Sequence, residues 1–264
     1  MDMTQTNAAG NYAVVNGLKM YYEIHGDEGF PLVLIHGGGS DMGVTFGRVL
    51  SAFAKNHRVI GVDMQAHGRT ADRGIPTSFE GDADDVAALL KHLNIKQADI
   101  MGFSNGGNTA MQVAIRHPQL VHKIVIASSF YKRSGFDAWF WDFMPNATLE
   151  NMPKPLQEAF LKINNDPAAL ELMHNRDRDR MLAFQDWSDD SIRSIIMPAL
   201  VIAGDKDVIR PEHTLELYRM LPDAELCILP AGHGDYIGEI DDTREDGNYP
   251  AVTIIEDFLT KVKA

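Results

Sequence analysis

The chain has 264 residues, 45% of them hydrophobic and 23% charged, the balance of an ordinary globular protein with enough length to bury a core unaided by disulfides or structural metals. Lys and Arg number 24 against 37 Asp and Glu, a formal net charge of −13, which argues against nucleic-acid binding and against docking on anionic lipid, since both need a basic surface. A single Cys excludes an internal disulfide framework and any Cys-based metal cluster, and it fits a reducing, cytoplasmic compartment.

Residues 1–11 are polar and lack the basic-then-apolar order of a signal peptide. No apolar run approaches the roughly 18 residues that span a bilayer. Short β-branched or apolar runs alternate with helical patterns. Residues 18–24 read as an alternating strand. Residues 31–35, 58–62, 98–103, 123–127, 199–203 and 225–229 are nearly continuous apolar runs, as strands buried on both faces of a parallel sheet must be. Helices are expected over 78–93, where Glu80 and Asp82 suit the helix dipole, and over 108–116, 211–221 and 251–262. Strands separated by helices imply an open α/β sheet with right-handed crossovers. Residues 130–194 break the rhythm: they hold no convincing strand and many aromatics, and they read as a helical insertion. Within it, the mixed-charge run from Arg176 to Arg180 reads as a solvated helix face. Cys227 falls inside a strand and reads as an inert core residue.

Gly102-Phe103-Ser104-Asn105-Gly106 is a G-x-S-x-G between a strand and a helix pattern. On such a turn a serine hydroxyl is lifted clear of the sheet and can meet both a base and a carbonyl carbon. The base and its acid partner should follow in the order acid, then histidine. Strand 199–203 runs into Gly204-Asp205-Lys206-Asp207, which makes Asp207 the acid and Asp205 its rival. Strand 225–229 runs into Gly232-His233-Gly234, which makes His233 the base; His213, in the first turn of a helix, reads as surface-exposed. A tetrahedral intermediate needs N–H donors. One is the Asn105 amide, and the other comes from the loop His36-Gly37-Gly38-Gly39, with Gly38 preferred and Gly39 the alternative. That loop is neither a P-loop, since no G-K-[ST] follows, nor a dinucleotide fingerprint, since Met42 stands where a third Gly is needed.

His36-Gly37-Gly38, the segment from Asp63 to Thr70, the Ser104 turn, Gly204-x-x-Asp207 and Gly232-His233 together resemble the α/β-hydrolase fold family, serine-nucleophile branch, across nearly the whole chain. The segment departs slightly: the family often has Gly where Ala66 stands and Ser where Thr70 stands, and no catalytic role is assigned to it. The resemblance implies a mostly parallel, eight-stranded type of sheet flanked by helices, with residues 1–129 and 195–264 as the core and 130–194 as a helical cap. A serine at the elbow disfavours the branches that use Asp there. The expectation is a cofactor-independent, metal-free serine esterase that acts on a small or medium, largely apolar ester. A lactonase or a carbon–carbon bond hydrolase is the alternative, and a ligand-binding receptor or scaffold a third reading. Phe103, Trp139, Trp141, Phe143 and Tyr236 are the candidates to line the substrate pocket. The partner is a small molecule, and sequence leaves the oligomeric state open. Six acidic residues against Arg244 between Asp235 and Asp246 suggest a solvated acidic loop or an acidic rim to the cleft.

Overall fold

The computed structural model describes residues 10–239 and 249–261. The chain runs through β1 (Asn11–Val15), β2 (Leu18–His25), β3 (Phe30–Ile35), α1 (Met42–Phe46), α2 (Leu50–Phe53), β4 (His57–Val62), α3 (Phe79–His92), β5 (Ala98–Phe103), α4 (Asn105–Arg116) and β6 (Val121–Ala127). It continues through α5 (Ala138–Phe143), α6 (Lys154–Asn164), α7 (Pro167–Ala183), α8 (Asp189–Arg193), β7 (Ala199–Gly204), α9 (Pro211–Met220), β8 (Ala224–Leu229) and α10 (Pro250–Thr260).

The strands form one eight-stranded sheet in the order β1-β2-β4-β3-β5-β6-β7-β8. Strands β3 to β8 pair in parallel, and the β1–β2 and β2–β4 pairs are antiparallel. Each strand expected from an apolar run is present. β1 was not expected, although its signal was there. Val15 pairs with Leu18 across Asn16 and Gly17, both at positive φ (47° and 80°), the two-residue turn whose twist suits a hairpin.

The runs buried on both faces are explained by two apolar layers. One holds Val33, Ile35, Ile60, Ile100, Ile124 and Val201 against α3 and α4. The other holds Leu32, Leu34, Val59, Met101, Val125 and Leu200 against Phe53 of α2 and Ile255 and Phe258 of α10. α3 begins where expected, with Ser78 accepting the Gly81 N–H as its N-cap. Cys227 is half-buried on β8, and burial raises its thiol pKa.

In a parallel sheet, the loops at the C-terminal ends of the strands share one edge, where ligands bind. Here the loops after β3, β5, β7 and β8 carry residues 36–41, 104, 205–210 and 230–238. The segment between β6 and β7 contributes α5 to α8 and adds two apolar clusters, one around Phe130, Phe136, Met181 and Phe184 and one around Met152, Phe160, Leu170 and Met173. Among the described residues, no helix is long and apolar enough to cross a membrane.

Candidate active site

Ser104 closes β5 and opens α4 with φ 53° and ψ −122°, a conformation most side chains avoid. Two glycines make that turn possible. A Cβ on Gly102 would run into the Gly106 carbonyl, and one on Gly106 into the Ile35 carbonyl. The strain leaves the Ser104 hydroxyl facing His233, with Nε2 at 3.1 Å from Oγ. His233 Nδ1 lies 2.6 Å from Asp207 Oδ1. Asp207, whose side chain is fully buried, also accepts the Ile209 N–H at 3.0 Å on Oδ1 and the Ser128 hydroxyl on Oδ2. Burial pushes the Asp207 carboxyl up, but His233 and these donors outweigh it and hold the pKa below its ordinary value. An ionised Asp207 fixes the proton on His233 Nδ1 and turns the Nε2 lone pair to Ser104. Burial lowers the His233 pKa, but the charge and hydrogen bond of Asp207 prevail and leave it raised.

The two acids after β7 separate cleanly. Asp205 Oδ1 accepts the Ala231 N–H at 3.0 Å and so ties the β8 loop to β7, while Asp207 reaches the imidazole. Behind Asp207, Ser128 Oγ stands 2.5 Å from the hydroxyl of Tyr236. Ser128 has φ 49°, another left-handed position, at the end of β6.

The glycine loop after β3 is held from several sides. His36 is buried and neutral: Nδ1 donates to Gly37 O at 2.7 Å, and Nε2 accepts the Met64 N–H at 3.0 Å. Burial drives its pKa down to about 3. The Gly37 N–H reaches Thr45 Oγ1 at 3.3 Å. The Gly39 N–H donates to Asp177 Oδ2 at 2.6 Å, so this amide is engaged by a side chain of α7.

Asp177 is also 2.9 Å from His67 Nε2 and bonded to Arg180, whose Nη1 donates to Asp82 at 2.7 Å. His67 Nδ1 faces the Gln65 carbonyl at 2.8 Å. With acceptors on both nitrogens, His67 is an imidazolium. Burial lowers its pKa, but Asp177 outweighs that and the net shift is upward. Burial opposes the Asp177 charge, yet His67 and Arg180 hold its carboxyl far below the usual range.

The run 176–180 is therefore not a solvated face throughout. Arg180 is 6% exposed, while Asp179 points outward. Leu170, Met173, Asp177 and Arg180 fall on one helical stripe, and that spacing was the available signal. The segment from Asp63 to Thr70 is a structural latch: Asp63 accepts the Met42 and Arg69 amides, and Thr70 Oγ1 donates to Asp63 O. Ala66, where the family often has Gly, sits at φ 67°.

A cavity of about 350 Å3 opens over Ser104 and His233. Gly38, Asn105, Phe136, Phe140, Phe143, Met144, Met152 and Leu156 line it, with His174, Asp177 and Arg178 as polar neighbours. Of the aromatics expected there, Phe143 is in place and the others are not. Phe103 is buried below the site, with its ring 4.8 Å from that of His233. Trp139 is 58% exposed. Trp141 turns away to bond the Arg133 carbonyl at 2.6 Å within the aromatic cluster. Tyr236 is fully buried behind Asp207. His213 is buried too: its Nε2 accepts the Tyr131 N–H at 3.2 Å, and burial lowers its pKa to about 4. Of the acidic loop, Asp235 and Glu239 are described and add negative charge near His233, and the rest lies outside the described residues. Among the described residues, no three His, Cys, Asp or Glu side chains stand close enough together to hold a metal ion.

Comparison with known proteins agrees with this architecture. The profile of the alpha/beta hydrolase fold matches residues 31–162. The 2-hydroxymuconate semialdehyde hydrolase of a Pseudomonas species is 30% identical over 254 residues, covering 81% of this chain and 88% of that protein. The dihydrolipoyllysine-residue acetyltransferase component of the acetoin cleaving system of Pseudomonas putida is 29% identical over 88% of this chain, and the match spans 66% of that protein's length. Among solved structures, the enol-lactonase from Burkholderia xenovorans superposes with a TM-score of 0.73 at 24% identity, covering 95% of this chain and all of that one.

Proposed function

Because the chain belongs to the alpha/beta hydrolase fold family, we propose that it is a cofactor-independent serine hydrolase that cleaves a small or medium, largely apolar carboxylic ester. One observation carries this reading: Ser104, His233 and Asp207 stand in a hydrogen-bonded line, at 3.1 and 2.6 Å, on the floor of a mostly apolar cavity. In this account Ser104 Oγ attacks the ester carbonyl while His233 Nε2 takes its proton. Asp207 holds the tautomer and offsets the imidazolium charge. The oxyanion is received by the Asn105 and Gly38 amides. Gly38 is preferred over Gly39 because the Gly39 N–H is already given to Asp177. The tetrahedral intermediate collapses as His233 returns the proton to the departing alcohol, leaving an acyl-Ser104. Water, deprotonated by His233, then releases the acid and restores the serine.

Residues 130–194 serve as the cap of this site, since Phe136, Phe140, Phe143 and Met144 form the apolar wall above Ser104. The partner is a small molecule. A volume of about 350 Å3 is at the lower end of ordinary ligand sites, which favours a short acyl or alcohol group.

A second reading has the same residues open a lactone or a carbon–carbon bond. The 30% identity to 2-hydroxymuconate semialdehyde hydrolase favours it. A screen of p-nitrophenyl esters, simple lactones and vinylogous diketones, with Ser104→Ala as blank, tests both. Ester turnover that the blank lacks supports the first reading, turnover of lactones or diketones alone supports the second, and no turnover of any class refutes both.

A further inference from the structure

The loop that is to receive the oxyanion contains three consecutive glycines, the residues with the greatest freedom to rotate away from any one geometry. Two peptide planes fix Gly38: the one before it, which carries its N–H, and the one after it, which holds its Cα from the other side. The first joins Gly37 to Gly38. All described peptide bonds are trans, so its N–H points opposite its C=O. His36 Nδ1 holds that carbonyl at 2.7 Å. The second plane joins Gly38 to Gly39, and its only side-chain anchor among the described residues is Asp177, 2.6 Å from the Gly39 nitrogen. Gly38 itself lies in a narrow slot: a Cβ there would collide with the Asn105 amide and come 3.0 Å from Asp177 Oδ2.

Resting on the hydrolase reading above, we infer that Asp177 is a positioning residue that holds the oxyanion loop in its working shape, so that α7 of the cap completes the catalytic centre in the core. A lone carboxylate here would oppose the developing oxyanion. It does not, because His67 and Arg180 neutralise it. Arg180 is in turn paired with the buried Asp82, and the four charges sum to zero. The carboxylate thus acts as a rigid, electrically balanced acceptor for one backbone N–H. Misplacing a reacting group by about 1 Å can cost on the order of 100-fold in rate.

The test uses the full chain with p-nitrophenyl butyrate as substrate and an alkyl trifluoromethyl ketone, whose adduct with Ser104 carries the oxyanion. Asp177→Ala is expected to lower kcat about 10- to 100-fold with KM within about threefold. The inhibition constant of the ketone should rise by the same factor as kcat/KM falls, while that of butyrate stays unchanged. Asp177→Asn keeps an oxygen acceptor and should recover most of the loss. If the alanine variant does not fold, Asp177→Leu replaces it. It fills similar volume and leaves Arg180 paired with Asp82 and His67 free to lose its proton. A folded Ala or Leu variant with kcat within threefold of the wild type, or a loss confined to KM, overturns the inference while the hydrolase reading stands. A wild type that neither hydrolyses esters nor binds the ketone overturns both.

Discussion

Replacing Ser128 with alanine removes one oxygen and leaves Ser104, His233 and Asp207 in place. Both residues carry a Cβ, so the cost of φ 49° is common to both. Ser128 donates to Asp207 Oδ2, so the Tyr236 hydroxyl at 2.5 Å must donate to Ser128. The variant strands a buried carboxylate oxygen and leaves Tyr236 with the Ile202 carbonyl at 3.4 Å as its remaining partner. A hydrogen bond to a buried charge contributes about 1.5–3 kcal/mol and a half-stranded hydroxyl about 1 more, which gives a loss of about 2.5–4 kcal/mol at pH 7. The sign of the pH dependence follows from Asp207. Its folded pKa is depressed, so the stability it contributes is present above the unfolded value near 4 and is lost as pH falls through the folded value. Without the Ser128 donor the folded pKa rises, so the deficit of the variant is full at pH 7 and shrinks as the pH falls through that raised value toward about pH 3. Urea unfolding at both pH values measures it, with equal m-values as the check that only stability has changed. A loss under 1 kcal/mol at pH 7, or one equally large at pH 3, would refute the reasoning.

Three further outcomes are expected. Asp207→Asn should lower kcat by about 10³–10⁴ by releasing the imidazole tautomer, whereas Asp205→Asn, which keeps an acceptor for the Ala231 amide, should change kcat less than threefold; steady-state kinetics would expose a reversed order. The acid limb of kcat/KM should be centred above the ordinary histidine value near 6.5, because His233 must be neutral to act and its pKa is raised; an inflection below 6 would contradict this. Gly106→Ala should abolish soluble folded protein or cost at least about 4 kcal/mol, since the new methyl has only the backbone of β3 to move; circular dichroism melting of a stable variant would show the packing argument to be wrong.

How much was legible in the sequence depended on how local each constraint is. Ser104, Asp207 and His233 could be read because each sits just past an apolar strand, and strand ends on one edge of a parallel sheet converge. The sheet was readable for the same reason, apart from β1, a short strand that exposes Tyr12 and Val14 and so offers no apolar run, although its Asn16-Gly17 turn is a hairpin signal. The cavity wall was harder. Residues 136–143 place a ring at almost every turn, so composition could not tell Phe140 and Phe143, which face the cavity, from Trp139, which faces solvent. His213 and Asp177 differ from the expectation of exposure because a polar side chain is buried wherever the fold supplies it a partner. Each is kept inside by a partner distant in sequence, Tyr131 for one and His67 with Gly39 for the other. Only the stripe through Leu170 and Met173 hinted at the second.

The central claim is that Ser104 is a nucleophile activated by His233. Intact-mass measurement after exposure to a fluorophosphonate tests it most directly. The account expects one adduct per chain, located to Ser104 by peptide mapping, absent in Ser104→Ala and strongly slowed in His233→Ala. A wild-type chain that stays unlabelled while a control hydrolase reacts, or an adduct that persists in Ser104→Ala, would contradict it.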